Sequence, residues 1–162
     1  MKPGLIVCYS RSGYTASLAK ELASMTGWDF LEIEDLHPRD GAWGQIRCAW
    51  DVLLHRHPRI RSYDKQVQGY ETVVVAAPVW LRSLASPMRT FIARHRGDLT
   101  AIAYLCTYGG RGAEKAAHQA AQLAGAPLVA TLAVTSQELE QGDYRRRLDE
   151  FLKTLHAFKI GP

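Results

Sequence analysis

Three short stretches of this sequence combine residue types that could do chemistry. The first, Ser10-Arg11-Ser12-Gly13-Tyr14-Thr15, sets three hydroxyls and a guanidinium around one glycine. The second is Pro78-Val79-Trp80-Leu81, and the third is Thr107-Tyr108-Gly109-Gly110. The first lies between an apolar run of strand length, residues 4–9, and residues 15–25, whose apolar positions recur at helical spacing. A strand that turns tightly into a helix aims several backbone N–H groups, and the positive end of the helix dipole, at one point that attracts phosphate. Ser10, Ser12 and Thr15 add hydroxyl donors there, Arg11 adds charge, and Gly13 permits a close backbone approach or a positive φ. The plainer reading of the same residues is a helix start, with Ser12 as its cap and Gly13 as its turn.

The elements that must position these stretches follow in chain order. After the first strand and helix, residues 28–33 alternate as a second strand, 34–44 form a loop with Pro38 and Gly41, and 45–55 form a helix with Ile46, Ala49, Trp50, Leu53 and Leu54 on one face. Residues 72–77, β-branched and apolar throughout, suit the middle of a parallel sheet. They run into the second stretch, and Ser86-Pro87 then opens a helix to about residue 96. Residues 101–106 form a fourth strand ending in the third stretch, and an alanine-rich helix follows to residue 123. A fifth strand at 127–134 and an amphipathic helix at 144–158 close the chain. Strands alternating with helices predict one doubly wound parallel α/β domain over residues 1–162. Ligands of such sheets sit beyond the carboxyl ends of the strands, so the three stretches are expected to converge at one edge.

Size and composition are those of an ordinary globular domain: 162 residues, 47% apolar and 22% charged. No apolar run approaches the ~20 residues of a membrane span, and the N-terminus lacks a signal-peptide core, so a cytoplasmic protein without a membrane partner is expected. Cys8, Cys48 and Cys106 are an odd, scattered set without a CxxC pair, which argues against a disulfide framework or a zinc site. Twenty basic against sixteen acidic residues leave a net charge of +4. The clusters at residues 56–61 and 145–147 are short and lack interleaved aromatics, so they read as solvated surface and not as a nucleic-acid site.

The three stretches together resemble the flavodoxin family, and the resemblance covers nearly the whole chain. The family's phosphate loop, Thr/Ser-x-Thr/Ser-Gly-x-Thr after the first strand, is matched by Ser10-Arg11-Ser12-Gly13-Tyr14-Thr15. Ala77-Pro78-Val79-Trp80 is similar to the loop whose aromatic covers the isoalloxazine, and Cys106-Thr107-Tyr108-Gly109-Gly110 to the loop at the other side and edge of the ring. The resemblance implies strand order 2-1-3-4-5 and bound FMN, with Trp80 stacked on the ring and Tyr108 toward its other face or at the pocket rim. It also implies a role in electron transfer with a redox partner protein. Tyr14 departs from the usual asparagine, and either bonds the phosphate through its hydroxyl or covers the site. Leu81 departs from a glycine common near this turn, and a leucine makes a turn needing positive φ costlier by about 1 kcal/mol or more. Arg82 and Arg111 stand where the family generally places acids, and positive charge there favours the anionic hydroquinone.

Rival chemistries lack a residue each. A Cys-x5-Arg phosphatase loop fails because the sixth residue after Cys8 is Tyr14, and Arg111 comes one residue too early after Cys106. A receiver domain needs an aspartate after the third strand, where Ala76-Ala77-Pro78 stands. Two alternatives to an electron carrier stay open: an NAD(P)H-dependent FMN or quinone reductase, and a binding module of the same fold that has lost FMN.

Overall fold

A computed structural model describes residues 2–36, 44, 46, 50, 51, 53, 54 and 56–158. Five parallel strands form the central sheet: β1 (Lys2–Cys8), β2 (Asp29–Glu32), β3 (Tyr70–Ala76), β6 (Ile102–Tyr108) and β7 (Leu128–Thr135). Their order is β2-β1-β3-β6-β7, which is the expected 2-1-3-4-5 once the five sheet strands are counted in sequence. Two short strands, β4 (Val79–Trp80) and β5 (Ser83–Leu84), form a separate antiparallel hairpin. Helices α1 (Tyr14–Thr26), α2 (Ser86–Arg94), α3 (Ala113–Ala124), α4 (Ser136–Gln141) and α5 (Arg145–Ala157) complete the described elements.

The sheet is buried on both faces because its middle strands are apolar on both. Along β3, Val73 and Val75 pack with Met88, Phe91 and Ile92 of α2 and with the alanine face of α3. Val74 and Ala76 point the other way, to Leu18 and Leu22 of α1 and to Leu148, Phe151 and Leu155 of α5. A period-2 strand with no polar side cannot be left half-exposed, so helices must cover both faces, which is what right-handed βαβ crossovers achieve. Cys8 and Cys106 are fully buried in these two layers, and burial pushes each thiol up to about 12. Neither is a nucleophile at neutral pH.

The two sheet edges are treated differently. Beside β2, residues 59–65 run back along the strand and its continuation, with Leu36 N–H donating to the Arg59 carbonyl at 3.1 Å, Arg61 N–H to the Glu34 carbonyl at 2.9 Å and Lys65 Nζ to the Phe30 carbonyl at 3.1 Å. On β7, the Arg147 guanidinium caps the Ala133 carbonyl at 2.9 Å while also holding Glu138 at 2.6 Å. A charged side chain on a strand edge blunts it against pairing with another chain.

Two elements differ from expectation. The stretch after Ala77, read as a loop, contains the β4–β5 hairpin, and the short α4 intervenes before the closing helix. The helix at 45–55 lies largely outside the described residues, as do Trp43 and Cys48; of its residues, Ile46, Trp50, Asp51 and Leu53 are helical. Of the apolar face expected for this helix, Trp50 is 54% exposed, and Ile46, Leu53 and Leu54 are 47%, 68% and 49% exposed. No described helix is long and apolar enough to cross a membrane.

Candidate functional site

The parallel sheet brings the carboxyl ends of β1, β3 and β6 to one edge, and specific contacts tie their loops together there. At the end of β1, Gly13 takes φ +89° and is itself the N-cap of α1, with no side chain capping the helix. Ser12 therefore does not cap it. The Gly13 N–H instead donates to Ser10 Oγ at 3.0 Å, which closes the loop on itself ahead of an uncapped helix N-terminus. Arg11, Ser12 and Gly13 are exposed around that terminus, the arrangement that suits a phosphate. Tyr14 turns elsewhere: its hydroxyl donates to Glu140 Oε1 of α4 at 2.8 Å, and that bond raises its pKa. Of the two roles expected for Tyr14, bonding a phosphate is not the one its hydroxyl is placed for.

Beyond β3 the hairpin turns through Leu81 and Arg82, at φ +47° and +59°. A two-residue hairpin with both central residues left-handed is a type I′ turn, ordinarily Asn-Gly, and each side chain forced there costs about 1–2 kcal/mol. The turn needing positive φ is thus adopted despite the leucine. Its second strand is anchored from below. Gln119 Oε1 of α3 accepts from Ser83 Oγ at 2.7 Å and from Leu84 N–H at 3.0 Å, and Arg89 Nη2 adds a bond to Ser83 Oγ at 3.3 Å. Ser83 and Leu84 are buried, so Gln119→Leu strands a backbone donor and a hydroxyl, and we expect it to cost about 1–3 kcal/mol in denaturant unfolding. Gln119→Glu keeps an acceptor oxygen and should recover most of that loss; equal costs for the two variants would mean that the amide is not the anchor.

The third loop is tied to both others. Thr107 Oγ1 at the end of β6 lies 2.7 Å from Thr15 Oγ1 at the start of α1, a buried hydroxyl pair. Gly112, at φ +90°, backs onto the hairpin so closely that a Cβ there would stand 2.4 Å from Arg82 Cα. Between hairpin and third loop lies a cleft of about 380 Å³ lined by Val79, Leu81, Arg82, Gly109, Gly110 and Arg111. Four residues named from the sequence, Val79, Leu81, Gly109 and Gly110, meet in it. Pro78, Trp80 and Tyr108 do not line it. Trp80 stands edge-on to the buried Tyr9, with centroids 5.5 Å apart and planes at 84°, which ties the hairpin to the end of β1. Tyr108 lines a larger groove of about 670 Å³ along β7, between α3 and α5.

The loops offer backbone N–H groups, hydroxyls and guanidinium groups, the chemistry that binds an anion. The described residues hold no cluster of ligating side chains for a metal ion, and the thiols behind the loops are buried and protonated. An anion seat at the start of α1 and an open cleft beside it suit an extended molecule with a phosphate at one end and a flat group at the other. Gln119, which holds the hairpin in place, carried no sequence signal as a site residue, because it acts through partners far along the chain.

A family model described as flavodoxin matches residues 4–131. Among solved structures, a flavoprotein from Lactobacillus acidophilus in complex with FMN is 19% identical, with a TM-score of 0.72 over 87% of this chain and 98% of that one. Two proteins designated flavoproteins, from Bacteroides uniformis and Bacteroides eggerthii, are 18% and 20% identical with TM-scores of 0.74 and 0.72. They are matched over 98% and 97% of their own length and 94% and 92% of this chain. No curated protein matches the sequence. At these identities the structural likeness speaks to the fold.

Proposed function

Because this chain belongs to the flavodoxin family, we propose that it binds FMN at the three tied loops and acts in electron transfer. The observation that carries this reading is the joining of all three loops, by Thr15 with Thr107, Tyr9 with Trp80 and Gly112 with Arg82, around an uncapped helix N-terminus and a cleft. The residues fit the group. The start of α1, with Ser10, Arg11, Ser12 and Gly13, would hold the phosphate, and Val79, Gly109 and Gly110 would receive the ring, with Leu81 at the outer rim of the cleft. Gly109 and Gly110 have open space where a Cβ would stand, which leaves their backbone accessible to a flat ligand. FMN supplies the redox chemistry when bound, and the protein orients it, tunes it and leaves its edge reachable. We place this activity in the cytoplasm, where the buried Cys8 and Cys106 stay thiols.

A second reading, an NAD(P)H-dependent FMN or quinone reductase, is favoured by one observation: Arg82 and Arg111 on the cleft rim would meet the phosphates of a pyridine nucleotide. One spectral experiment separates these readings. Purified protein is scanned before and after adding FMN, then mixed with NADPH without air. Tight FMN binding without bleaching by NADPH is the expected result for a carrier. Prompt bleaching makes the protein a reductase, and failure to bind FMN leaves only a binding module of this fold.

A further inference from the structure

The rim of the cleft has a charge and shape of its own. The three loops carry Arg11, Arg82 and Arg111, and no acid occurs within residues 9–16, 77–86 or 107–113. All three arginines are exposed, and among the described residues none is in an ion pair. Of the acids on the neighbouring helices, Glu140 accepts the Tyr14 hydroxyl at 2.8 Å, and the exposed Glu114 on α3 lies 3.9 Å from His118. At the tip of the hairpin, between Trp80 and Arg82, Leu81 is 64% exposed on a left-handed backbone. A large apolar side chain held in solvent, at a conformation that disfavours it, is unfavourable twice over for the isolated fold.

We propose that this rim docks an acidic redox protein, with Leu81 as the apolar anchor and Arg11, Arg82 and Arg111 facing the partner's carboxylates. The proposal rests on the FMN reading above. An apolar centre ringed by arginines is the composition of a protein-binding hot spot, since arginine brings bidentate pairing and weak hydration to an interface. Charge alone would serve a pyridine nucleotide equally well. The exposed Leu81 favours a protein, because a nucleotide's phosphates gain nothing from it. In the transfer, one reduced FMN gives up two electrons, the protons it gained on reduction return to water, and each of two one-electron acceptors takes one electron.

The test uses the FMN-loaded protein, reduced and mixed in stopped flow with plastocyanin, an acidic copper protein, or with a basic cytochrome c. Both are one-electron acceptors, so the ratio of their rates cancels changes in the flavin itself. Plastocyanin should react at least about tenfold faster relative to cytochrome c at low salt than at high salt, as steering between opposite charges requires. R82Q with R111Q should lower that ratio about tenfold, and Leu81→Ser should lower the plastocyanin rate at high salt. A ratio indifferent to salt, or equal loss with both acceptors, overturns the docking proposal. So does a double variant that slows bleaching by NADPH and leaves the plastocyanin rate intact. A chain that takes up no FMN overturns the cofactor reading instead, a result distinguishable by its colourless spectrum.

Discussion

Gly112→Ala is expected to destabilise the protein by about 3 kcal/mol, roughly 6–12 °C in Tm, whereas Gly110→Ala costs about 1 kcal/mol. The two glycines make a matched pair. They sit two residues apart in one loop with nearly equal φ, +90° and +94°, so the penalty of a left-handed alanine is common to both. They differ in what a Cβ meets. At Gly110 nothing lies within 4 Å; at Gly112 the Cβ would stand 2.4 Å from Arg82 Cα and 3.0 Å from its carbonyl carbon. Backbone cannot swing aside as a side-chain tip can, so the third loop and the hairpin must separate. That separation opens the cleft wall formed by Arg82 and Arg111, and FMN affinity should fall at least about tenfold in Gly112→Ala and much less in Gly110→Ala. Thermal unfolding and FMN titration of the two variants check this. Equal costs would show that the hairpin does not rest on Gly112 and that the cleft walls are positioned independently.

The sheet was legible because its strongest signals are those that tertiary context cannot override. An apolar β-branched run such as residues 72–77 has no polar face to expose, so it predicts a central strand, and Val73 to Ala77 are each at most 1% exposed. The carboxyl-end loops followed from topology, since parallel strands deliver them to one edge whatever their sequences. The hairpin was missed because its turn breaks the local rule: Leu81-Arg82 lacks the Asn-Gly chemistry of a type I′ turn. Helix α4 was missed although a signal existed. Thr135-Ser136-Gln137-Glu138 is a capping box, and Thr135 and Glu138 bond reciprocally in the structure. The direction of Trp80 was beyond sequence reasoning. In a two-residue strand, alternation decides which neighbour faces the cleft; Val79 lines it, and Trp80 stands on Tyr9.

The hydroxyl pair between the first and third loops should give a non-additive mutant cycle. Thr15 is 1% exposed and Thr107 7% exposed, and their Oγ1 atoms, 92 residues apart in sequence, lie at 2.7 Å. Either hydroxyl can donate, so each is the other's partner in a buried site. Thr15→Val or Thr107→Val keeps the shape and strands one buried hydroxyl, at a cost of about 1–3 kcal/mol. The double variant removes both polar groups and leaves two valines in contact, so it should cost less than the sum of the singles by about 1–2 kcal/mol. Urea unfolding of the four proteins measures the coupling. The functional consequence follows from where the pair sits. Thr15 opens α1, whose uncapped terminus would hold the phosphate, and Thr107 precedes the glycines that flank the cleft, so this bond sets the spacing between the two ends of the ligand. Each single variant should therefore weaken FMN binding beyond its effect on global stability, and the double variant should regain part of that loss. Additive stability effects would mean that backbone packing alone sets the spacing and that the hydroxyls are incidental to it.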